Sequence, residues 1–401
     1  MKTLQSIIVL LFFALVSCSK SEDTPAPQDP IGTNPIGTNP IGTNPTGKNV
    51  YIAGTTTSNE LATIWKNGVA TVMPVAAGAA SQIVSLVVEG NDVYLLTNEY
   101  DPVSFGSNIV LYKNNTKINL GLGGASKLIV KNGNYYILGA YSYNNGFLDG
   151  FYFINGTKVT LFTNKAFDNV SDMYVKDGNV YISGFKVFTT NGKKTAVLWT
   201  NTANNQTLLS DGAKDAKAAN IEFINNEINV LVYESTEIVN VSASYYLKKW
   251  KNNQLSGINM PAGLFFGSFL KIDSENNIHI IGVFDNGNPD VSYVYLKNDT
   301  EVPIIASNQF SKECLDMAIK GSDVYIAGSQ KFSNINAPVI WKNGVANVLP
   351  NTSPDEVKSI CLFNEDVYAV GKNSDSFWIN SQKQPQLAGE NPKFKKIVVT
   401  N

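Results

Sequence analysis

The chain has 401 residues, 43% hydrophobic and 16% charged, with a formal net charge of -2. A chain this apolar holds a large buried core, and so nearly neutral a balance leaves no basic field for a phosphate backbone, which excludes nucleic acid as a partner. One histidine and three cysteines leave no set for a histidine-held metal, a Ser-His-Asp triad or a Cys-His pair, so neither cofactor nor metal is expected.

At the N-terminus Lys2 precedes an apolar run from Ile7 to Val16, long enough for the core of a signal peptide and too short to span a bilayer. The first 17 residues therefore read as an export signal. The run ends in Leu15-Val16-Ser17-Cys18, which resembles the lipobox of bacterial lipoproteins. That resemblance implies cleavage before Cys18, lipidation of its sulfur and a membrane as partner through the acyl chains. The next residues, Ser19-Lys20-Ser21-Glu22-Asp23, are similar to the acidic export signal of surface lipoproteins in Gram-negative bacteria. They imply an outer-membrane lipoprotein displayed at the cell surface, with a periplasm-facing one as the alternative. Residues 18–47 continue as a Pro/Gly/Thr/Asn-rich linker in which Ile-Gly-Thr-Asn-Pro occurs at 31–35, 36–40 and 41–45. Proline removes donors and glycine adds unfolded-state entropy, so a disordered tether is expected.

From residue 48 onward a short apolar strand signal recurs at intervals of roughly 42 to 50 residues, a period that marks propeller blades. The copies are Val50-Tyr51-Ile52-Ala53-Gly54, Val93-Tyr94-Leu95-Leu96, Tyr135-Tyr136-Ile137-Leu138-Gly139 and Val180-Tyr181-Ile182-Ser183-Gly184. Ile228-Asn229-Val230-Leu231, Ile278-His279-Ile280-Ile281-Gly282, Val324-Tyr325-Ile326-Ala327-Gly328 and Val367-Tyr368-Ala369-Val370-Gly371 complete the set. Both faces of each strand are apolar, as burial between neighbouring blades requires. A second signal follows each copy, an aromatic strand ending in an Asn turn such as Ile64-Trp65-Lys66-Asn67-Gly68 or Ile340-Trp341-Lys342-Asn343-Gly344. Asn-Gly and Asn-Asn suit the tight type I′ hairpin, and the aromatic reads as a plug between blades. A third strand precedes each copy except the first, and the final segment Lys396 to Asn401 has its pattern. The C-terminal strand is therefore expected to complete the N-terminal blade.

The predicted fold is an all-β, eight-bladed β-propeller over residues 48–401, closed by the C-terminal strand. Seven blades remain the fallback, because the fifth repeat carries Asn229 in place of tyrosine and its preceding hairpin is stretched at Thr202 to Gln206. The pattern resembles bacterial propeller repeats in general, without the signatures of WD or kelch repeats.

Tight turns leave one face of such a disc and longer, variable connections the other, where binding usually lives. The candidate ligand-binding residues are the loop aromatics Tyr100, Phe105, Tyr141, Tyr143, Phe147 and Phe188, with Phe185, Phe265, Phe266 and Phe310 beside them. His279 stands where most sibling repeats carry tyrosine and reads as packing. Cys314 and Cys361 are offset in their repeats and read as free thiols. The runs from Asp273 to Asn277 and from Asp285 to Asp290 read as turns rather than calcium loops. Loop carboxylates Glu99, Asp101, Asp149, Asp215 and Glu237 show no spacing that selects a catalytic pair. The functional expectation is a membrane-anchored lipoprotein whose propeller is a non-catalytic module for a glycan or envelope protein. The alternatives are a polysaccharide hydrolase or lyase with carboxylates at the channel mouth, and a structural assembly subunit.

Overall fold

Asparagine tolerates the left-handed backbone that a two-residue hairpin needs, and the turn asparagines adopt it, with φ of 49° at Asn67, 48° at Asn155 and 50° at Asn343. The hairpins they close build the molecule. The computed structural model describes residues 47–401 apart from 57–59, 76–77, 102–105, 144–145, 189–191, 236–244, 259–263, 274, 286–291, 304–311, 333–334, 352, 374–375 and 390. Cys18, Phe105, Glu237 and Phe310 lie outside the described residues.

The described strands form eight four-stranded antiparallel sheets, with no helix among the described residues. In seven sheets the strands are consecutive in the chain, and in the remaining one Lys393–Thr400 pairs with Asn49–Thr56. Numbered in chain order, blades 1 to 4 have the innermost strands Lys393–Thr400, Ala80–Glu89, Gly124–Lys131 and Asn169–Lys176. Those of blades 5 to 8 are Ala216–Ile224, Leu264–Ile272, Lys312–Lys320 and Val357–Phe363. Each touches the next, and Lys393–Thr400 touches the innermost strands of both blade 8 and blade 2. The ring is thus eight-bladed and closed by its C-terminal strand, and the seven-bladed fallback does not hold. Blade 5 has all four strands despite its irregular repeat. Its buried Asn229 leaves Oδ1 without a partner among the described residues.

The turn asparagines also explain why the two sequence signals recur together. In blade 2, Asn114 Oδ1 accepts the Val93 amide at 2.8 Å and its Nδ2 donates to Asp92 Oδ1 at 2.7 Å. Asn343 makes the same clip to Val324 and Asp323 in blade 7, and Asn380 to Val367 and Asp366 in blade 8. The lysine before the asparagine joins in. Lys113 pairs with Asp92 at 2.8 Å and lies 5.1 Å from the Tyr94 ring centre, and Lys342 does likewise with Asp323 and Tyr325. Asp-Val-Tyr and Lys-Asn form one cross-strand unit, stabilised by charge-assisted hydrogen bonds and cation–π contact. In blade 5 Asn252 reaches Glu227 instead, so that repeat carries a longer acidic residue in the same place.

The aromatic plugs behave as expected: Trp65, Trp199, Trp341 and Trp378 are fully buried. Trp65 packs with Val370, Phe377 and Leu387 of blade 8 and its outgoing connection, and its Nε1 donates to Ala388 O at 2.6 Å.

Every innermost strand slips register against its second strand at the same repeat position. The bulged residues of blades 1 to 4 are Lys395, Val84, Ser126 and Ser171. In blades 5 to 8 they are Ala219 with Asn220, Ser268, Leu315 and Lys358. A bulge bends the strand and re-aims the side chain it carries. The glycine that ends most strand signals faces this bulge. A Cβ on Gly54 would sit 2.2 Å from Lys393 O, and one on Gly184 2.1 Å from Asn169 O, so close backbone approach requires glycine there.

Candidate functional site

The long-loop face gathers three of the six predicted aromatics on one blade. Tyr141 and Tyr143 of blade 3 pack edge to face with ring centres 4.8 Å apart, and the Phe147 carbonyl accepts the Tyr143 amide at 2.9 Å. The Tyr143 hydroxyl donates to Asp149 Oδ2 at 2.8 Å, a bond that raises its pKa, and Asp149 Oδ1 accepts the Asn164 amide. Tyr100 stands exposed on blade 2 and Phe188 on blade 4, while Phe185 is buried.

Three of the loop carboxylates, Glu99, Asp149 and Asp215, serve their own surroundings. Buried Glu99 accepts the Tyr112 hydroxyl and pairs with Lys117 at 2.7 Å, and Asp215 accepts the Lys194 amide at 2.7 Å. Cys314 is buried and Cys361 half-buried, and no disulfide joins them. Among the described residues no group of three or more His, Cys, Asp or Glu side chains could hold a metal ion.

His279 does more than pack. It is fully buried, with Nε2 3.0 Å from Asp273 Oδ2 and Nδ1 2.7 Å from the Tyr295 hydroxyl. An ionised carboxylate only accepts, so Nε2–H donates to Asp273 and Nδ1 accepts the tyrosine proton. Burial lowers the His279 pKa against the pull of Asp273, and burial pushes Tyr295 up to about 12. For Asp273 burial works upward, but hydrogen bonds from Asn277 and His279 outweigh it and hold the group at about 2. The expected turn at Asp273 is therefore organised by this carboxylate, which also accepts the amides of Glu275 and Asn277.

The consequence is a pH dependence with a definite sign. The folded imidazole takes up a proton at lower pH than the unfolded one, which does so near about pH 6.5, so stability falls as pH drops through that point. The urea midpoint of the wild type should fall between pH 7 and pH 5, and that fall should flatten in His279→Gln, since the chain has no other histidine. Equal slopes in the two proteins would contradict the assignment. A further loss between about pH 4 and pH 2 belongs to Asp273, whose folded pKa lies below the unfolded value of about 3.9.

The innermost strands carry most of the charge that sequence reading passed over. Lys127 of blade 3 pairs with Asp172 of blade 4 at 2.6 Å, and Asp172 Oδ2 accepts the Ile221 amide of blade 5 at 3.0 Å. Asp316 of blade 7 repeats the device, accepting Ser359 Oγ at 2.9 Å and the Ile360 amide at 3.2 Å on blade 8. These carboxylates staple neighbouring blades.

Blades 8 and 1 differ, because each has lysine at its bulge, Lys358 and Lys395, where the other six carry uncharged residues. The two lysines help line a cavity of about 290 Å³ at the long-loop end of the innermost strands of blades 8, 1 and 2. Lys372, Lys393, Ser81 and Gln82 share its wall. Only alignment of the innermost strands on their bulges would have found this pair from sequence. A larger recess of about 490 Å³ beside Ile335, Pro338, Pro350 and Pro354 has no ionisable residue in its wall.

No protein-family model and no curated protein matches the chain. Its fold is similar to that of solved propellers. With the β-propeller domain of the Trilobed protease from Pyrococcus furiosus it shares 12% identity and a TM-score of 0.48, over 77% of this chain and 95% of that one. With Pyrococcus horikoshii acylaminoacyl peptidase the values are 11% and 0.49, over 77% of this chain and 52% of that one. With a structure from an analysis of two prolyl endopeptidases they are 7% and 0.50, over 80% and 50%. The chain therefore spans about half the length of those two peptidases. At such identities the likeness shows the β-propeller fold. The expected glycan or envelope-protein module, and the polysaccharide-cleaving alternative to it, are corrected on the likeness with a TM-score of 0.50, which is to a structure of prolyl endopeptidases.

Proposed function

We propose that this chain is a peptidase-type propeller domain that takes an extended peptide at the long-loop mouth of its channel, and that an acylated Cys18 holds it at an outer membrane. The observation that carries the reading is the cavity at that mouth, near the lower end of the size of small-ligand sites and bordered by three blades. The fold shared with prolyl endopeptidases supports the substrate class. The single histidine is sealed inside blade 6 with both nitrogens engaged, so a serine–histidine centre would come from a separate catalytic domain.

Fluorescence anisotropy of a labelled, unstructured decapeptide tests the peptide reading. Saturable binding by the wild type is expected, with loss of binding in Gln82→Trp, where the indole fills the cavity from an exposed position. Equal binding by the two proteins would place the peptide elsewhere and overturn the reading. For the anchor, labelled palmitate should enter the wild type in cells and not Cys18→Ala. Equal labelling of both would remove the anchor from the account.

A further inference from the structure

We infer that the lysine-lined cavity at the mouth of blades 8, 1 and 2 is a carboxylate site, which selects peptides by an acidic side chain or a free C-terminus. The inference rests on the peptide reading above and names what the site recognises in the peptide.

Charge is placed unevenly around the ring. The bulge position aims a side chain away from the regular ladder, and it is neutral in six blades and lysine only in adjacent blades 8 and 1. Lys372, from the loop after the second strand of blade 8, and Lys393, at the start of the closing strand, bring the number of lysines in the cavity wall to four. Two have carboxylate partners: Lys358 pairs with Glu356, and Lys393 with Glu60 at 3.1 Å. Neither Lys372 nor Lys395 forms an ion pair among the described residues. Glu60 stands in the same wall and Glu356 also draws on Lys395, so four lysines face two carboxylates and the cavity keeps a positive balance that an incoming anion would neutralise.

A second observation points the same way. Ser81, in the same wall, is 3% exposed, and its hydroxyl has no hydrogen-bond partner among the described residues. A buried hydroxyl left unmade is costly, and a carboxylate oxygen is an acceptor that would satisfy it. Protein around the Lys395 ammonium, together with the charges of Lys358 and Lys396, lowers its pKa against the pull of Glu356, a burden that a bound carboxylate relieves. The contrast with blades 3 and 4 is instructive. There Lys127 has its own aspartate across the blade boundary, so its charge is already neutralised.

The test uses three labelled decapeptides of glycine and serine. The first has two central glutamates and an amidated end, the second has glutamines in their place, and the third is the glutamine peptide with a free C-terminal carboxylate. The full-length protein should bind one or both carboxylate peptides at least about tenfold more tightly than the glutamine amide at low salt, with the advantage shrinking as salt is raised. Which of the two gains affinity distinguishes side chain from terminus. Lys372→Gln, on an exposed loop, should lose most of the advantage with an unchanged Tm, and Lys372→Gln/Lys395→Gln all of it, while Lys395→Arg keeps it. If all three peptides bind alike and the lysine variants change nothing, the carboxylate site is overturned while the peptide reading stands. If none binds, both fall together.

Discussion

Removal of residues 393–401 should leave a protein without the cooperative unfolding transition of the full chain, and largely insoluble. Lys393–Thr400 is the innermost strand of blade 1, laddered to Asn49–Thr56 from Asn49 opposite Thr400 to Thr55 opposite Lys393. Without it blade 1 keeps three strands, loses the buried side chains of Phe394, Ile397 and Val399, and presents an open edge at the channel. Blades 8 and 2 lose their contact with the closing strand in the same step. A milder version isolates the packing: Ile397→Ala should cost about 2 to 5 kcal/mol, a large share of a domain stability of about 5 to 15 kcal/mol. Urea unfolding followed by tryptophan fluorescence measures both. A truncated protein with the wild-type midpoint would mean that the ring does not depend on its closure.

The second large effect is expected at Trp65. Trp65→Ala should destabilise by about 3 to 5 kcal/mol, because it opens a cavity the size of an indole where blades 8 and 1 meet. Trp65→Phe retains an aromatic body but loses the hydrogen bond to Ala388 O, whose residue is exposed to water, so a smaller loss of about 0.5 to 1.5 kcal/mol is expected. The indole also stands edge to face with Phe394 of the closing strand, ring centres 5.2 Å apart. A double-mutant cycle between Trp65→Ala and Phe394→Ala should return a coupling of about 0.5 to 1.5 kcal/mol. Additive losses would show that the plug and the closing strand act independently.

What could be read in the sequence follows from which interactions repeat. Blade number, hairpin turns, tryptophan plugs and the closing strand were legible because each recurs at a fixed period, and the missing strand of the first repeat stands at the other end of the chain. The asparagine clip was half legible. Asn-Gly announces a turn, but that Asn114 also reaches back to Val93 and Asp92 depends on a cross-strand pairing that composition does not encode. The surroundings of the loop aromatics were not legible for a related reason. Tyr141 and Tyr143 read as separate stacking surfaces in a list of residues, and the fold packs them on each other and bonds Tyr143 to Asp149. His279 looked like a tyrosine substitute, and its two partners lie six residues before it and sixteen after it, across different turns of the chain.

The lysines at the mouth were the hardest to see. Lys358 sits in Val357-Lys358-Ser359 and Lys395 in Phe394-Lys395-Lys396, ordinary polar positions at strand starts. They become equivalent only when both strands are aligned on a bulge, and a bulge is a property of the pairing rather than of either strand. On the proposed reading, residues that break the repeat at a structurally equivalent place carry the function of this scaffold.

The most direct test of that claim is a photo-crosslinking map. A glutamate-containing decapeptide with one benzoylphenylalanine would be irradiated with the full-length protein, and the attachment sites read by mass spectrometry. The account predicts adducts confined to the cavity wall around Ser81, Gln82, Lys358 and Lys393 to Lys395, and their loss in Lys372→Gln/Lys395→Gln. Adducts on the tight-turn face, or on the Tyr141 and Tyr143 loop of blade 3, would contradict it.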